Sequence, residues 1–396
     1  MKVAIPAEST PGERRVATLP DVVPLLVKAG LEVAVQTGAG TASLAPDSAY
    51  SEAGAEVVAA VEAADVDVLL HVRPLHPKVI ARLRPGAITI GFCAPTLELE
   101  SVKALRDGRI TAFAMELVPR ISRAQSMDAL TSQALVAGYR SVLEAATRLP
   151  RFLPLFMTAA GTVPPAKTLV LGAGVAGLQA IATAKRLGSV VSAYDVRSAS
   201  ADEVRSMGAT FVDLGLDAID GAGGYAREQS EDRAARQMEA LTPFVAGTDL
   251  LITTASIPGR QAPRLVTRAM VEQMRPGSVV IDLAAESGGN VEGSSPGIDV
   301  EVPVPGGVVT VYGMRDAASS MPADASRLYA KNVANLLLLM TKDGVVTVDF
   351  ADEVVAGTCL TYDGQVRHEA THNLLTALDP PPPSPESTQL FGEEAH

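Results

Sequence analysis

The chain lacks several residues and segments that common functional classes require. Its 396 residues include two cysteines, five histidines and no tryptophan. Cys93 and Cys359 are too few for a disulfide framework or a zinc site, and they are typical of small buried residues in a reducing compartment. Apolar runs stay shorter than the roughly 18 residues of a membrane span, and the N-terminus has no signal-peptide pattern.

Positive charge is scarce as well. Lysine and arginine number 33 against 45 aspartates and glutamates, which gives a formal net charge of −12. Nucleic acids and anionic membranes bind clustered positive charge, so no nucleic-acid partner is expected. What the chain does have is an apolar fraction of 47%, which is enough for the cores of two or three domains.

Short apolar runs alternate with helical stretches in two sets. The first set predicts helices that include residues 18–30 and 47–64, and strands at residues 2–5, 32–36, 68–72, 87–92 and 110–114. The second set predicts strands at residues 168–171, 190–194, 210–212, 250–254 and 279–283. Such alternation is typical of parallel sheets covered on both faces. We therefore predict an α/β fold of two doubly wound, Rossmann-like parallel-sheet domains, separated by a cleft and joined by long helices.

The segments between and after these sets predict how the domains connect. Residues 131–149 have the pattern of one long connecting helix. Farther along, the sequence predicts an apolar helix at 325–340 with Asp324 as its N-cap, and a hairpin at 357–368. We expect this C-terminal region to return to the first domain. The predicted domains are therefore residues 1–130 plus 320–378 and residues 135–315, followed by a Pro-rich tail at 379–396 that cannot form a core.

The sharpest local signal is a glycine-rich turn between a predicted strand and a predicted helix. Gly172, Gly174 and Gly177 have the spacing of a dinucleotide-binding fingerprint, in which they permit a tight turn, close approach of a pyrophosphate and tight helix packing. Asp195 ends the next predicted strand, where it can bind ribose hydroxyls and repel a 2′-phosphate. This pattern favours NAD over NADP, although Arg197 is a residue type that can admit NADP. The structural alternative is a turn retained only for packing.

Four polar stretches are candidates to face the cleft. Residues 119–128 hold two guanidinium groups, an amide and a carboxylate, and Asp128 or Ser126 is also a plausible helix cap. Residues 220–228 form a glycine-rich loop, either a lid that carries Tyr225 over a cofactor or a mobile surface loop. Residues 253–259 and 282–290 each follow a strand of the second set, and the latter contain Glu286, a candidate acid or base that could equally bond locally.

Conventional catalytic motifs are missing from the sequence. There is no HExxH motif, nucleophile elbow, Walker A motif or cluster of metal ligands, so no metal is predicted. His71 falls in a predicted strand and His76 in a Pro-flanked loop. A lone histidine is more often structural than catalytic, so neither is favoured as a general acid.

Several motifs together resemble a known family. They are GERRVA from Gly12, RISRAQSMD from Arg120, the turn from Gly172 to Gly177, GGYA from Gly223, IPG from Ile257 and DLAAESGGN from Asp282. With these motifs the chain resembles the α subunit of proton-translocating NAD(P) transhydrogenase. It is most similar to the soluble NAD(H)-binding component, from the N-terminus to about Leu378. Alanine dehydrogenase shares this fold.

The resemblance implies roles for individual residues. Arg120, Gln125 and Asp128 are implied as the catalytic residues at the nicotinamide end of NADH, with Gln125 at the meeting point with a partner's NADP. The full set of implied cofactor-binding residues is Arg120, Ile121, Ser122, Arg123, Gln125, Asp128, Thr131, Gly172, Gly174, Val175, Gly177, Asp195, Val196, Arg197, Gly224, Tyr225, Gln237 and Ser256. Hydride would pass directly between two nicotinamide rings, which requires orientation but no general acid.

The resemblance also implies partners and a location. NAD(H) would bind this chain, and NADP(H) would bind a partner subunit. A separate membrane-spanning transhydrogenase subunit would hold the assembly on the cytoplasmic, inner face of the cell membrane. Members of the family form homodimers, so a homodimer is expected here.

Two other functions stay open on the sequence alone. The first is alanine dehydrogenase, whose family uses an arginine and a lysine for the substrate carboxylate, and a histidine and an aspartate in the cleft. Here the corresponding positions hold Arg15, Arg73, no histidine within residues 91–96, and Glu286. Because a general acid contributes roughly 10²–10⁴-fold to the rate, these changes disfavour that activity. The second is a non-catalytic NAD-binding module, which would bind NADH without exchanging hydride.

Overall fold

The structure is a computed structural model that describes residues 1–197, 199–217, 231–257 and 260–378. Within these ranges the chain forms two large sheets and two small two-stranded sheets. The predicted lid with Gly224 and Tyr225, and the predicted tail at 379–396, lie outside the described residues.

The first large sheet contains eight described strands. In chain order they are β1 (Lys2–Ile5), β2 (Glu32–Gln36), β3 (Glu56–Val58), β4 (Val68–Leu70), β5 (Ile88–Gly91), β6 (Thr111–Ala114), β18 (Cys359–Tyr362) and β19 (Gln365–Val366). Their order across the sheet is β19-β18-β6-β5-β4-β1-β2-β3. Strands β1 to β6 pair in parallel, and β18 adds antiparallel to β6. The C-terminal hairpin therefore returns to the first sheet, as the sequence predicts.

The second large sheet contains seven described strands. They are β9 (Lys167–Leu171), β10 (Val190–Tyr194), β11 (Thr210–Phe211), β12 (Leu250–Thr253), β13 (Val279–Asp282), β14 (Asp299–Val304) and β15 (Gly307–Gly313). Their spatial order is β11-β10-β9-β12-β13-β15-β14, and all pair in parallel except the hairpin of β14 and β15. Two parallel sheets with helical crossovers confirm the predicted α/β fold class.

The remaining elements are the helices and two short antiparallel pairs. The short pairs are β7 (Phe156–Thr158) with β8 (Gly161–Val163), and β16 (Thr341–Lys342) with β17 (Val345–Val346). The α-helices of the described residues are α1 (Val23–Lys28), α2 (Asp47–Glu52), α3 (Pro77–Ile80), α4 (Leu99–Asp107), α5 (Ala129–Arg148), α6 (Val175–Arg186), α7 (Ser200–Ser206), α8 (Glu231–Ala246), α9 (Arg268–Val271), α10 (Pro322–Leu339), α11 (Glu353–Thr358) and α12 (Glu369–Leu378). In the region of the chain that is described, every helix is too short or too polar to cross a membrane.

Three predictions about local structure are wrong. The helix predicted for 47–64 ends at Glu52, because the chain turns at Gly54 and then pairs as β3 with β2. The helix predicted for 18–30 is limited to α1, which has a proline in its first turn. Asp324 is not the N-cap of α10, since that helix already begins at Pro322 and Asp324 lies within its first turn. The predicted domain boundaries stay a prediction.

The long connecting helix is confirmed as α5, and it packs directly against the start of α6. A side-chain carbon added at Gly138, in the middle of α5, would collide with the carbonyl oxygen of Ala176, the second residue of α6. The two backbones therefore touch at this point. Only glycine permits such an approach, so Gly138 fixes where α6 begins relative to α5.

Gly138→Ala tests this contact by the sign of its effect. Alanine favours a helix interior by about 0.5–1 kcal/mol over glycine, but here overpacking should lower the free energy of unfolding by about 1–3 kcal/mol. Gly357→Ala in α11 is the matched control, because its added carbon would lie 3.4 Å from Pro119 Cδ, an ordinary contact. Urea denaturation measures both variants. A Gly138→Ala protein as stable as the Gly357→Ala protein would contradict the contact.

Candidate functional site

The glycine-rich turn lies at the point where the second sheet changes its winding direction. From β9 the chain adds β10 and β11 on one side and later β12 and β13 on the other, so the turn after β9 opens at a switch point. Gly172 has a φ of +100°, and a carbon added there would lie 2.6 Å from Thr254 Oγ1. At Gly177 an added carbon would collide with the Gly172 carbonyl oxygen. At Gly174, by contrast, it would meet no described atom within 4 Å.

This combination makes the start of α6 an open site for an anion. Gly174 is the N-cap residue, and Val175, the first residue of the helix, is partly exposed. The first peptide N–H groups of a helix have no acceptor within the helix, and its dipole adds positive charge there. A phosphate group can therefore approach the backbone closely at Gly174.

Asp195 ties the end of β10 to this turn. Its carboxylate accepts hydrogen bonds from the Ala173 amide at 2.7 Å, the Arg197 amide at 2.9 Å and the Arg197 guanidinium at 2.8 and 2.9 Å. Burial alone would raise the pKa of Asp195, but the hydrogen bonds from Arg197 and Ala173 outweigh burial and lower it. The carboxylate is therefore charged, and the guanidinium that sequence reasoning associated with NADP is engaged by this carboxylate.

A mostly apolar pocket adjoins Asp195 and Arg197. It is bounded on one side by Asp213, Asp217 and Arg233, and its apolar lining consists of Tyr194, Val196, Ala201, Phe211, Val212, Leu214 and Leu216. An apolar cavity beside a carboxylate at a switch point is typical of nucleotide sites.

Gln237 and Ser256 lie on neighbouring elements. Gln237 is on α8 and is 2% exposed, and among the described residues its Oε1 atom has no hydrogen-bond donor. Because an unsatisfied buried acceptor costs about 1–3 kcal/mol, this atom indicates a donor that is supplied from elsewhere. Ser256 is exposed and follows β12.

The polar loop at 120–128 leads directly into α5. Residues Ser122–Met127 form a 3-10 helix, with Ala124 and Met127 buried beneath it and Ser122 and Gln125 exposed. Asp128 is the N-cap of α5 and accepts hydrogen bonds from the Thr131 amide at 2.8 Å and the Thr131 hydroxyl at 2.6 Å. Of the two caps that the sequence left open, the structure selects Asp128.

Two C-terminal helices hold this loop from below. The side-chain amides of Asn332 and Asn335, on α10, donate to the Ser126 carbonyl oxygen at 2.9 and 3.0 Å. Arg123 forms a two-pronged contact with Asp352, the N-cap of α11, at 2.7 and 2.8 Å. The Arg123 guanidinium lowers the pKa of Asp352 to about 2. Arg123 is thus directed at α11, and its implied role at the cofactor gives way to one in positioning the loop.

Sequence reasoning did not find these supports, although the sequence contains one signal for them. Asn332 and Asn335 are spaced i, i+3, so they lie on one face of a helix that is otherwise strongly apolar. Two amides on the same face of such a helix indicate a polar partner packed against it. What the sequence could not show is that the partner is the backbone of residue 126.

Helix α5 links the loop to the glycine turn. Asp128 caps its start, and Gly138, ten residues later, touches the first turn of α6. At a rise of 1.5 Å per residue, the two points are about 15 Å apart along the helix. The exposed polar loop and the anion-binding turn are therefore held at a fixed separation on one rigid element.

A charged cluster occupies the switch point of the first sheet, between β1 and β4. Glu8 accepts hydrogen bonds from the amides of Val72 at 2.6 Å and Arg73 at 3.3 Å, and burial raises its pKa to about 7. The Glu13 carboxylate is fully buried and binds the guanidinium of Arg15 at 2.6 and 2.8 Å and that of Arg73 at 2.7 Å. Burial opposes ionisation of Glu13, but the Arg15 contacts lower its pKa to about 2.

The same cluster reaches the second sheet. Arg73 Nη2 donates to Asp316 Oδ1, and the Asp316 amide donates to Glu286 Oε2 at 3.0 Å. Asp316 follows β15 and Glu286 follows β13, so the carboxyl ends of the two sheets meet across the cleft. Burial raises the pKa of Glu286, although Arg73 and Arg315 oppose the shift.

The two histidines considered as general acids have structural roles. His71 is fully buried, its Nδ1 lies 2.7 Å from the Arg73 carbonyl oxygen, and burial lowers its pKa to about 4. His76 caps α3, where its Nδ1 accepts a hydrogen bond from the Lys78 amide at 3.1 Å. His71 is therefore neutral near pH 7, and neither ring is arranged as a proton donor to the cleft.

Known families match both halves of the chain. The N-terminal domain of the alanine dehydrogenase/PNT family matches residues 4–137, and its C-terminal domain matches residues 141–369. The chain belongs to the alanine dehydrogenase/PNT family. The resemblance seen in the sequence is thereby confirmed, and the chain is an oxidoreductase of this family.

Within the family the chain is most like transhydrogenase α subunits. It is 47% identical to an NAD(P) transhydrogenase subunit alpha of Rhodospirillum rubrum over 382 residues, which cover 93% of this chain and 98% of that protein. A transhydrogenase structure from Sinorhizobium meliloti is 46% identical, with a TM-score of 0.81, and the match covers 93% of this chain and all of that one. Alanine dehydrogenase of Mycobacterium tuberculosis is 33% identical over 301 residues, 75% of this chain and 76% of that protein.

Proposed function

We propose that the chain is the NAD(H)-binding subunit of a proton-translocating transhydrogenase and delivers hydride from NADH to NADP⁺ on a partner subunit. The observation that carries this proposal is the arrangement along α5. An exposed polar loop lies at its start, and the anion-binding turn of the second sheet abuts its middle at Gly138. The separation of about 15 Å suits a dinucleotide laid along the helix.

The second sheet supplies the residues for the adenosine and pyrophosphate end. Backbone N–H groups beside Gly174 and Val175 bind the pyrophosphate, and Gly172 and Gly177 keep the turn tight. Asp195 binds the ribose, with Arg197 holding its carboxylate in place. The apolar pocket that includes Val196 takes the adenine, and Gln237 and Ser256 complete the site. The unpaired Gln237 Oε1 fits an acceptor for a bound group.

The loop at 120–128 supplies the nicotinamide end. Arg120, Ser122 and Gln125 are exposed, so a second nicotinamide ring on a partner can approach them. Asp128 and Thr131 hold each other at the start of α5, and Ile121 borders them. NADH, when bound, supplies the hydride itself, so these residues have to orient the ring and exclude water. Gly224 and Tyr225 are proposed as components of a lid over this site.

The structure does not favour alanine dehydrogenase activity. Reductive amination requires a proton donor, but His71 is buried and neutral and His76 caps a helix. A substrate carboxylate also requires free guanidinium groups. Arg15 and Arg73 are instead bound to the chain's own carboxylates, Glu13 and Asp316.

The partners follow from the proposed activity. An NADP(H)-binding subunit docks over the loop at 120–128, and a membrane-spanning subunit carries the proton and holds the assembly at the inner face of the cell membrane. We also propose a homodimer through the hairpin of β7 and β8. This hairpin and the segment before it expose a patch of large apolar side chains: Phe152, Leu155, Phe156, Met157 and Val163, with Met157 74% exposed. Contiguous exposed apolar residues of this kind mark a contact with another chain.

Asp195→Ala tests the proposed ribose site. Loss of its hydrogen bonds should weaken NADH binding by about 1–3 kcal/mol, a roughly 5- to 150-fold rise in Kd. NADPH should lose less affinity than NADH, because Arg197 is then released to meet a 2′-phosphate. Fluorescence titration with both nucleotides measures the effect.

Asp202→Ala is the matched control for this experiment. It removes another arginine-paired carboxylate, 3.0 Å from Arg205, that lies on α7 away from the turn. The Asp202→Ala protein should bind both nucleotides normally. An unchanged NADH Kd in the Asp195→Ala protein would refute the assignment.

Gln125→Asn tests the hydride-transfer site. The shorter amide should slow hydride transfer by about tenfold or more in the reconstituted complex, since positioning errors act on the transition state, while NADH affinity stays within about twofold. The control is Gln273→Asn, which shortens an exposed amide beyond α9. Stopped-flow transfer to an NADP⁺ analogue gives the rate. Transfer at the normal rate would remove Gln125 from the site, and no transfer in the unmodified protein would leave a non-catalytic NAD-binding module.

A further inference from the structure

Arg73 is held from both sides of the cleft by carboxylates of the chain itself. Its Nε donates to Glu13 Oε2 at 2.7 Å, close to the N-terminus, and its Nη2 donates to Asp316 Oδ1, beyond the last strand of the second sheet. The Arg73 side chain is 28% exposed and that of Asp316 is 14% exposed. This ion pair therefore lies at an accessible point between the carboxyl ends of the two sheets.

The local backbone is arranged around the Asp316 carboxylate. Asp316 has a φ of +47°, which a residue with a side chain rarely adopts. Its amide is held by Glu286, and Gly12 lies so near that an added carbon would be 2.5 Å from Asp316 Oδ2. Gly12 thus leaves the room that this carboxylate occupies. Strain of this kind persists when the surroundings fix it, and it often marks a functional position.

The chemistry of the pair is that of carboxylate recognition. A guanidinium group offers a planar fork that matches a carboxylate, and such charge-assisted contacts are stronger than neutral ones. Two guanidinium groups, those of Arg15 and Arg73, face two carboxylates, those of Glu13 and Asp316, so the cluster is balanced. Without the Asp316 charge, Arg73 keeps an unused Nη2 beside a space the size of a carboxylate.

We propose that Asp316 occupies a latent carboxylate-binding site on Arg73 and thereby excludes small carboxylic acids, 2-oxo acids among them, from the cleft. Asp316 is on this view a specificity-determining residue. The inference rests on the proposed function and deepens it, because it explains how a cleft that holds NAD(H) refuses a second, carboxylate substrate. Removal of one side-chain charge should then uncover the site without damage to the nucleotide site.

Asp316→Asn is the direct test, with pyruvate as the probe and the full-length chain as the protein. Ligand-observed NMR should show saturable pyruvate binding in the variant, with a Kd at least tenfold lower than any in the unmodified protein. Asp316→Gly, which also relieves the positive φ, should bind pyruvate as well. Adding Arg73→Gln to Asp316→Asn should abolish the new binding, because the receptor is then gone.

Asp363→Asn is a closely matched control. Asp363 also has a positive φ, of 45°, and also accepts from an arginine, Arg109, but it lies in the exposed C-terminal hairpin. This variant should bind no more pyruvate than the unmodified protein. The proposal is overturned if neither Asp316 variant gains pyruvate binding, or if the gain survives the loss of Arg73.

NADH titration of the same proteins separates this inference from the proposed function. The Asp316 variants should bind NADH like the unmodified chain, which also shows that they are folded. If the unmodified chain fails to bind NADH, the proposed function fails, whereas the pyruvate measurement still decides the role of Asp316.

Discussion

The contact between α5 and α6 at Gly138 is the constraint on which the rest of the site depends. It allows two helix backbones to touch, and it thereby fixes the start of α6, where anions bind, relative to the start of α5, where the polar loop lies. Both ends of the proposed cofactor site are thus referred to one rigid helix. The loop needs further support at its far side, which the Asn332 and Asn335 amides and the Arg123–Asp352 pair provide.

The charges around the cleft are arranged to hold rather than to react. Strongly charged groups there have partners within the chain: Asp195 has Arg197, Glu13 has Arg15, and Arg73 has Asp316. The histidine nearest to this cluster, His71, is buried and neutral near pH 7. Direct exchange of hydride between two cofactors needs no proton donor. The balance of charges and the proposed activity therefore agree.

The sequence predicted the fold class and the local motifs because these depend on short-range patterns. Apolar runs located most strands of both sheets, and the glycine spacing located the turn at the switch point. The helix predicted at 47–64 was wrong because apolar spacing continued past Gly54, where the backbone turns into β3. The hairpin of β14 and β15 was missed, since its outer strand is largely exposed and carries no continuous apolar run.

Contacts between distant segments of the chain were beyond the reach of sequence patterns. The pairing of Arg123 with Asp352 spans 229 positions, and that of Arg73 with Asp316 spans 243. Residue types show that arginine and aspartate can pair, but not which pairs form. For this reason Arg123 was expected at the cofactor, whereas the structure directs it to α11.

The measurement that tests the central claim most directly is an NADH titration of the isolated chain, followed by addition of pyruvate and ammonium. The absence of tryptophan gives the NADH fluorescence a low background. The account predicts that NADH binds and is not consumed, because the chain holds a hydride donor whose acceptor belongs to a partner. Stoichiometric oxidation of NADH with formation of alanine would contradict it.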